Sequence, residues 1–275
     1  MRGADGTQLI KFDDARIVPK FGYYYLKSVR IDNQDKYERH FKHVKEIKIP
    51  LPPLDVQNKV VAEIEALEAR VSRTTEEKAA LKLSISTAIK DSAATVGEGG
   101  RLGAVASYSQ ERVACSNLTA DTYVGVDNLL QNMEGKVTSQ FVPNSGTAIA
   151  YSDGDILLSN IRPYLKKIWL ADNDGGSSGD VLVLKVNKET IYPKYLFYQL
   201  ATDEFFEYEM HHIKGVKMPR ADRSSVLNYT IYVPPLATQR KIVAEIEKIE
   251  SKIVAQNVHL EELAMRKDEI LEKYL

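Results

Sequence analysis

The stretch Ser159-Asn160-Ile161-Arg162-Pro163-Tyr164-Leu165-Lys166-Lys167 carries three cations and no acid. An arginine fork fits a guanine edge or a phosphate, an asparagine amide fits adenine, and lysine ammonium groups meet phosphates. Ser159, Asn160, Arg162, Tyr164, Lys166 and Lys167 are therefore candidates for contact with a polyanion whose edges carry information. The same residues also fit a solvated turn neutralised by Asp172 and Asp174. A second cluster holds His211, His212, Lys214, Lys217, Arg220 and Arg223, opposed only by Asp222. Gly215 and Pro219 mark it as a loop, the usual place for binding residues on a rigid scaffold. Lys214, Lys217, Arg220 and Arg223 are its candidates, with a plain exposed basic loop as the alternative.

Other chemistries find little support. His211-His212 has no Cys or further His at ligand spacing, so no metal is expected. Gly135-Lys136 is followed by Val137, which is not the Ser or Thr of a phosphate-cradling loop. No Ser/His or Cys/His grouping stands out, and Asp153 and Asp155 read as turn residues; no catalytic residue and no cofactor are expected. The lone Cys115 forms no internal disulfide and reads as a small buried residue, which suits a reducing cytoplasm. Met1-Arg2-Gly3-Ala4-Asp5 lacks the apolar core of a signal peptide, and no run is long enough to span a bilayer. Hydrophobic residues at 44% and charged residues at 27% are ordinary for a globular chain. A net charge of −1 means that any grip on nucleic acid comes from local basic surface.

The basic stretches must be held by the elements around them. Strand-like runs are Thr122–Val126, Asp155–Ser159, Lys167–Ala171 and Asp180–Val186, with a helix expected over Tyr195–Tyr208 after Pro193. Turns are expected at Asn144-Ser145-Gly146, Ser152-Asp153-Gly154 and Asp174-Gly175-Gly176. Tyr23, Tyr24, Tyr25, Tyr195, Tyr198 and Trp169 read as core.

The larger organisation is an internal repeat. Residues 49–71 and 231–253 share Pro-Pro-Leu-x-x-Gln-x-Lys-x-Val-Ala-Glu-Ile-Glu, too long a match for chance. Upstream, at a slightly different offset, Ile17-Val18-Pro19-Lys20-Phe21 echoes Ile191-Tyr192-Pro193-Lys194-Tyr195, and Tyr23–Leu26 echoes Phe197–Leu200. Each copy ends in a helix of about 35–38 residues, or roughly 55 Å. Asp55 is the expected N-cap of the first. Apolar residues fall at Val60, Ile64, Leu67, Val71, Leu81, Ile85 and Ala88, and at Ile242, Ile246, Ile249, Ile253, Leu260, Leu263, Ile270 and Tyr274. Those alternating steps of four and three form a heptad seam, interrupted by Thr74 and Lys78 in one copy and by Gln256 and Lys267 in the other. Long helices with one narrow apolar stripe are unstable alone, and the simplest partner for each is the other. A linker begins at Gly97-Glu98-Gly99-Gly100.

Strand, Pro-Pro-Leu-x-x-Gln and long helix, occurring twice, resembles the specificity (S) subunit of type I restriction–modification systems. It is equally similar to the recognition region fused to some adenine methyltransferases. Asp153-Gly154-Asp155-Ile156-Leu157-Leu158-Ser159-Asn160-Ile161-Arg162-Pro163 resembles the segment that opens the DNA-facing part of such domains, and Ser177-Ser178-Gly179-Asp180 fits the same pattern. The resemblance implies an α+β fold: a mixed target-recognition domain plus two long helices pairing as an antiparallel coiled coil. It implies residues 1–53 as the C-terminal remnant of a first recognition domain and 54–96 as a first spacer helix. Residues 101–235 would be a complete recognition domain and 236–275 a second spacer helix. The opening part of the first copy is expected to be missing, since residues 4–12 align with the strand at 178–186; a truncated or rearranged gene product and the tail of a fused methyltransferase fit, whereas a circular permutation would place the missing piece after the second helix.

The implied function is DNA sequence recognition that directs methyltransferase and nuclease subunits to a target site. The implied partners are double-stranded DNA, adenine methyltransferase (modification) subunits and, indirectly, the restriction subunit. A homodimer is a further expectation, because an incomplete first domain leaves surface to cover. Both Pro-Pro pairs lack the Asn or Asp before and the Tyr or Phe after that adenine methyltransferases use, so the chain is expected to be non-catalytic. Two alternatives stand beside this reading: a coiled-coil adaptor that binds protein without DNA specificity, and a C-terminal recognition fragment of a fused restriction–methylation enzyme.

Overall fold

In the computed structural model, residues 9–29, 44–94, 99–215 and 218–274 are described. The chain forms two compact units, one from Met1–Leu81 with Ser251–Leu275 and the other from Lys82–Glu250.

In the first unit a short helix, α1 (Pro19–Ser28), starts on a proline whose missing N–H is no loss in a first turn. Its Phe21 and Tyr24 turn inward onto Val60, Val61 and Ile64 of α2 (Leu54–Ala94). Tyr23, one step off that face, is exposed and not core, as the helical period requires. The long helix begins one residue before Asp55, which sits inside the first turn; the Pro53 carbonyl takes the first amide, from Gln57 at 3.0 Å. Asp55 still faces the positive end of the helix dipole there.

The last long helix, α6 (Leu236–Tyr274), runs antiparallel to α2 within this unit. Glu68 accepts from Lys267 at 2.6 Å, Arg70 meets His259 at 3.4 Å, and Glu77 accepts from Gln256 at 3.0 Å. One set of numbers rises as the other falls. Gln256 and Lys267, which interrupt the apolar seam, are thus cross-helix ties, and polar seam residues of this kind fix register. Thr74 is buried whereas Val71 lies at the exposed edge, so the seam passes through the threonine. The side chain of Tyr274, the last seam position, lies outside the described residues.

The second unit is layered. Strands β2 (Ala106–Tyr108), β6 (Ile156–Ser159), β7 (Ile168–Leu170) and β9 (Val181–Val186) form an antiparallel sheet in the order β2-β9-β6-β7. Ile156, Leu158, Ile168, Leu182, Leu184 and Val186 face the helices; Leu157, Trp169, Val181 and Val183 face a second sheet. Burial on both faces explains the unbroken apolar runs, where a one-sided sheet would alternate with polar residues. The second sheet joins β3 (Arg112–Ala114), β5 (Thr147–Tyr151), β8 (Gly175–Ser177) and β4 (Tyr123–Val124) in the order β3-β5-β8-β4, with β4 and β8 parallel. A two-stranded ribbon of β1 (Gly100–Arg101) and β10 (Thr230–Ile231) closes the ends of the domain.

Gly175 and Gly176, expected in a turn, lie in β8. A Cβ at Gly175 would stand 2.1 Å from the Thr122 carbonyl oxygen, so glycine here permits a close backbone approach. The helix expected over 195–208 is two helices, α3 (Pro193–Leu200) and α4 (Asp203–His211). Thr202 breaks the run because its hydroxyl caps α4, accepting from the Phe205 amide at 3.2 Å. A last short helix, α5 (Arg223–Asn228), is capped by Asp222.

The repeat has a physical content that sequence comparison leaves hidden. In the first unit Gln57 is fully buried; its amide oxygen accepts from Val18 N–H at 2.7 Å, and its NH2 donates to the carbonyls of Pro52 at 2.7 Å and Arg16 at 3.1 Å. In the second, Gln239 is also fully buried, accepts from Tyr192 N–H at 2.6 Å and donates to Pro234 at 2.7 Å and Thr190 at 3.3 Å. Tyr24 donates to Glu68 at 2.7 Å, as Tyr198 does to Glu250 at 2.6 Å. Lys20 pairs with Glu65, as Lys194 does with Glu247. Glutamine fits because a side-chain amide alone offers an acceptor and two donors together at one end. Each Pro-Lys helix is therefore bolted to the start of the long helix that follows it.

Candidate nucleic-acid interface

Strand register gathers the basic residues at one end of the layered unit. Ser159 ends β6 opposite Val181, which begins β9, and Leu158 lies opposite Ile168, which begins β7. Residues 159–167 thus leave and re-enter the sheet at the same edge, tied by Ser159 N–H to Lys167 carbonyl at 3.0 Å and Asn160 N–H to Asp180 carbonyl at 2.9 Å. The second basic segment, after α4, doubles back at Gly215 (φ +87), and Lys214 and Arg220 exchange backbone bonds at 2.9 and 3.0 Å. It is then stitched to the first segment: Arg162 N–H donates to Pro219 at 2.8 Å and Ala221 N–H to Asn160 at 3.0 Å. Two clusters some fifty residues apart in sequence become one surface.

Not every candidate reaches that surface. Ser159 is buried, its hydroxyl donating to the Ile161 carbonyl at 2.9 Å. Lys167 is also buried; its ammonium donates to the Val126 carbonyl at 2.7 Å, and burial lowers its pKa. A lysine held this way shapes the loop beneath the surface and does not present its charge at it, contrary to the expectation from sequence. Asn160 is buried too, with no hydrogen-bond partner for its side-chain oxygen.

The remaining cations are outside and mostly paired. Lys166 meets Asp203 at 2.5 Å, Lys214 meets Asp222 at 2.7 Å, and Arg220 meets Asp180 at 2.7 Å. Lys214 and Ser224 hold the Asp222 carboxyl well below the usual carboxylate range. Arg223 lies over the Tyr108 ring, 4.7 Å from its centroid. Exposed ion pairs are worth about 0–1 kcal/mol, so a phosphate can replace the partner carboxylate at little expense. Arg162 and Tyr164 are exposed and have no side-chain partner among the described residues. Lys217 lies outside the described residues.

Glu209, one turn before the basic loop, is fully buried with neither carboxylate oxygen hydrogen-bonded. Desolvation, with Asp222 adding a like charge, pushes its pKa up to about 8. His212 Nδ1 sits 2.7 Å from the Tyr208 carbonyl. Among the described residues no group of three or more His, Cys, Asp or Glu is placed to hold a metal, and no helix is long and apolar enough to cross a membrane.

A third segment, missed in the sequence, completes the edge. Asn132 N–H donates to the Leu165 carbonyl at 3.0 Å and Met133 N–H to the Lys166 carbonyl at 2.8 Å. Asn132 (φ 55), Met133 (φ 62), Arg162 (φ 52) and Lys166 (φ 50) are all left-handed. They are the only such non-glycine residues among those described. Met133, Arg162 and Lys166 each depart from their preferred backbone at roughly 1–3 kcal/mol, and Asn132 at less, because asparagine tolerates this region. The available signal was Asn132 followed three residues on by Gly135, a turn composition.

Residues 116–264, more than half of the chain, match the family model described as type I restriction modification DNA specificity domain. A stretch of 126 residues is 26% identical to the type I restriction enzyme EcoDI specificity subunit of Escherichia coli, taking in 44% of this chain and 28% of that one. Another of 109 residues is 30% identical to the HindI specificity subunit of Haemophilus influenzae, taking in 38% and 24%. The matched part thus spans about a quarter of the length of those relatives. A chain solved in work on complex assembly and conformational transition of the type I R-M system shares the fold, with a TM-score of 0.62 at 20% identity. That likeness covers 96% of this chain and 73% of the other.

Proposed function

The chain belongs to the family of the type I restriction modification DNA specificity domain, and from that membership we propose that it selects the DNA sequence on which a type I-like restriction–modification complex acts. Residues 101–235 are the target-recognition domain, 1–53 the C-terminal part of another, and 54–96 and 236–275 spacer helices. The observation that carries the reading is the joining of residues 160–162 to 219–221, and of Arg220 to Lys214, into one basic edge by backbone bonds. Lys166, Lys214 and Arg220 supply phosphate contacts there, and exposed polar side chains between them read base edges. The chain itself is non-catalytic and works in the cytoplasm; methylation and cleavage belong to modification and restriction subunits.

Exposed Val254, Val258 and Met265 share a face of α6, which supports a protein partner along that helix, the methyltransferase subunit in this reading. The same stripe also suits an adaptor without DNA specificity. Selection from random duplexes by the full chain, with and without the methyltransferase subunit, separates the two. A sequence motif is expected. Replacing Lys166, Lys214 and Arg220 together by Ala should weaken retention and reduce the salt slope by about 0.9 for each lost phosphate contact. No enriched motif, or unchanged retention by the triple variant, favours the adaptor.

A further inference from the structure

We infer that the knot joining Asn132–Met133 to Arg162–Lys166 is a base-reading element, with Asn132 and Arg162 as specificity-determining residues. This rests on the DNA-reading role proposed above. The first ground is where the backbone strain lies: left-handed non-glycine residues elsewhere in the described chain are absent, and here four meet in two hydrogen-bonded turns. Arg162 is doubly disfavoured, because it also precedes Pro163, whose ring restricts its neighbour.

The second ground is how firmly the knot is held. Leu130 N–H donates to Gly135 at 2.8 Å, Leu165 N–H to Arg162 at 2.9 Å and Lys166 N–H to Pro163 at 2.9 Å. Pro163 is buried, Met133 packs on the helix-side core, and Lys166 is tied to Asp203. A purely structural turn at these positions is better served by glycine, which meets no penalty at positive φ. Side chains kept where glycine is the easier residue point to a use for the side chains.

The third ground is what they present. Asn132 and Arg162 are exposed, and neither side chain has a partner among the described residues, while Lys166, Lys214 and Arg220 are all paired with carboxylates. Carboxamide and guanidinium are the two groups that pair bidentately with adenine and guanine in a major groove. Held on a strained and rigid turn, they approach a base edge with little ordering left to do.

The test uses the full chain and its Asn132→Gly, Arg162→Gly and Arg162→Lys variants in random-duplex selection, together with retention on a non-specific duplex and thermal midpoints. Gly at either position relieves the backbone, so midpoints should stay level or rise. Preference at one or two adjacent base pairs should fall about 5- to 150-fold for each variant. Arg162→Lys keeps the charge and loses the fork, so its non-specific retention should change less than twofold while its preference falls. Unchanged preferences in all three variants overturn the inference. So does a loss of preference that tracks a fall in the midpoint, since that marks a structural role. A wild-type chain that enriches no motif instead sinks the DNA-reading role on its own.

Discussion

Replacing Gln239 by Ala should remove most of the bolt that fixes α3 to the start of α6. The fully buried amide makes two bonds of good length, to Tyr192 N–H at 2.6 Å and the Pro234 carbonyl at 2.7 Å, and a longer one to Thr190 at 3.3 Å. Two lost bonds at about 1 kcal/mol each, plus an orphaned amide at about 1–3, give roughly 3–5 kcal/mol. With a urea slope of about 2–3 kcal/mol/M, the midpoint should fall by about 1.5 M. Trp169, the single tryptophan, is buried in the same unit and reports the transition by fluorescence. Gln239→Glu serves as a comparison that keeps the shape. Its carboxylate would face two carbonyl oxygens, which raises its folded pKa above the unfolded value. A raised pKa places the favourable contribution at low pH and removes it as pH rises. The Glu variant should therefore stand closer to wild type at pH 4 than at pH 7. A midpoint shift below about 0.3 M for Ala, or a Glu variant indifferent to pH, refutes the reasoning.

Glu209, with its pKa pushed up to about 8 and no bonded oxygen, makes stability fall as pH rises from its unfolded value near 4.5 towards 8; Glu209→Gln should flatten that slope in denaturation measured across the range. Gly175→Ala should destabilise by more than about 2 kcal/mol in a thermal melt, because its Cβ would meet backbone and the Tyr151 hydroxyl, whereas Gly179→Ala, with nothing within 4 Å, should stay within about 0.5. Lys267→Met removes the tie to Glu68, whose pKa the lysine lowers; the loss should be about 1 kcal/mol at pH 7 and fade as pH falls past the ordinary glutamate value of 4.5 and through the lowered one. Urea titrations at pH 7 and across the acid range check it.

What the sequence made legible was periodic or duplicated. The unbroken runs of large apolar residues in β6, β7 and β9 read directly as strands, and steps of four and three marked both long helices. Strands β2 (Ala-Ser-Tyr), β3 (Arg-Val-Ala) and β5 (Thr-Ala-Ile-Ala-Tyr) hold no such run, and β8 hid behind two glycines that resemble a turn. Within the seam, Gln256 and Lys267 read as defects because polarity alone does not say that a neighbouring helix supplies a partner. Surface chemistry was half legible. The cations were visible, but their partners Asp203, Asp180 and Asp222 reach them only through tertiary contact. Lys167 illustrates the limit: its neighbour Lys166 is paired at the surface while its own ammonium is folded inward onto Val126.

The paired glutamine bolts have a consequence for how such a chain can change over generations. The atoms that make each glutamine joint belong to the residues just before the short helix, the Pro-Pro turn and the first turn of the long helix. None belongs to the loops that carry the basic edge. Mutations there leave the fitting untouched, so the exposed edge is free to diversify while the joint stays the same. The design is that of an interchangeable tool on a standard shank.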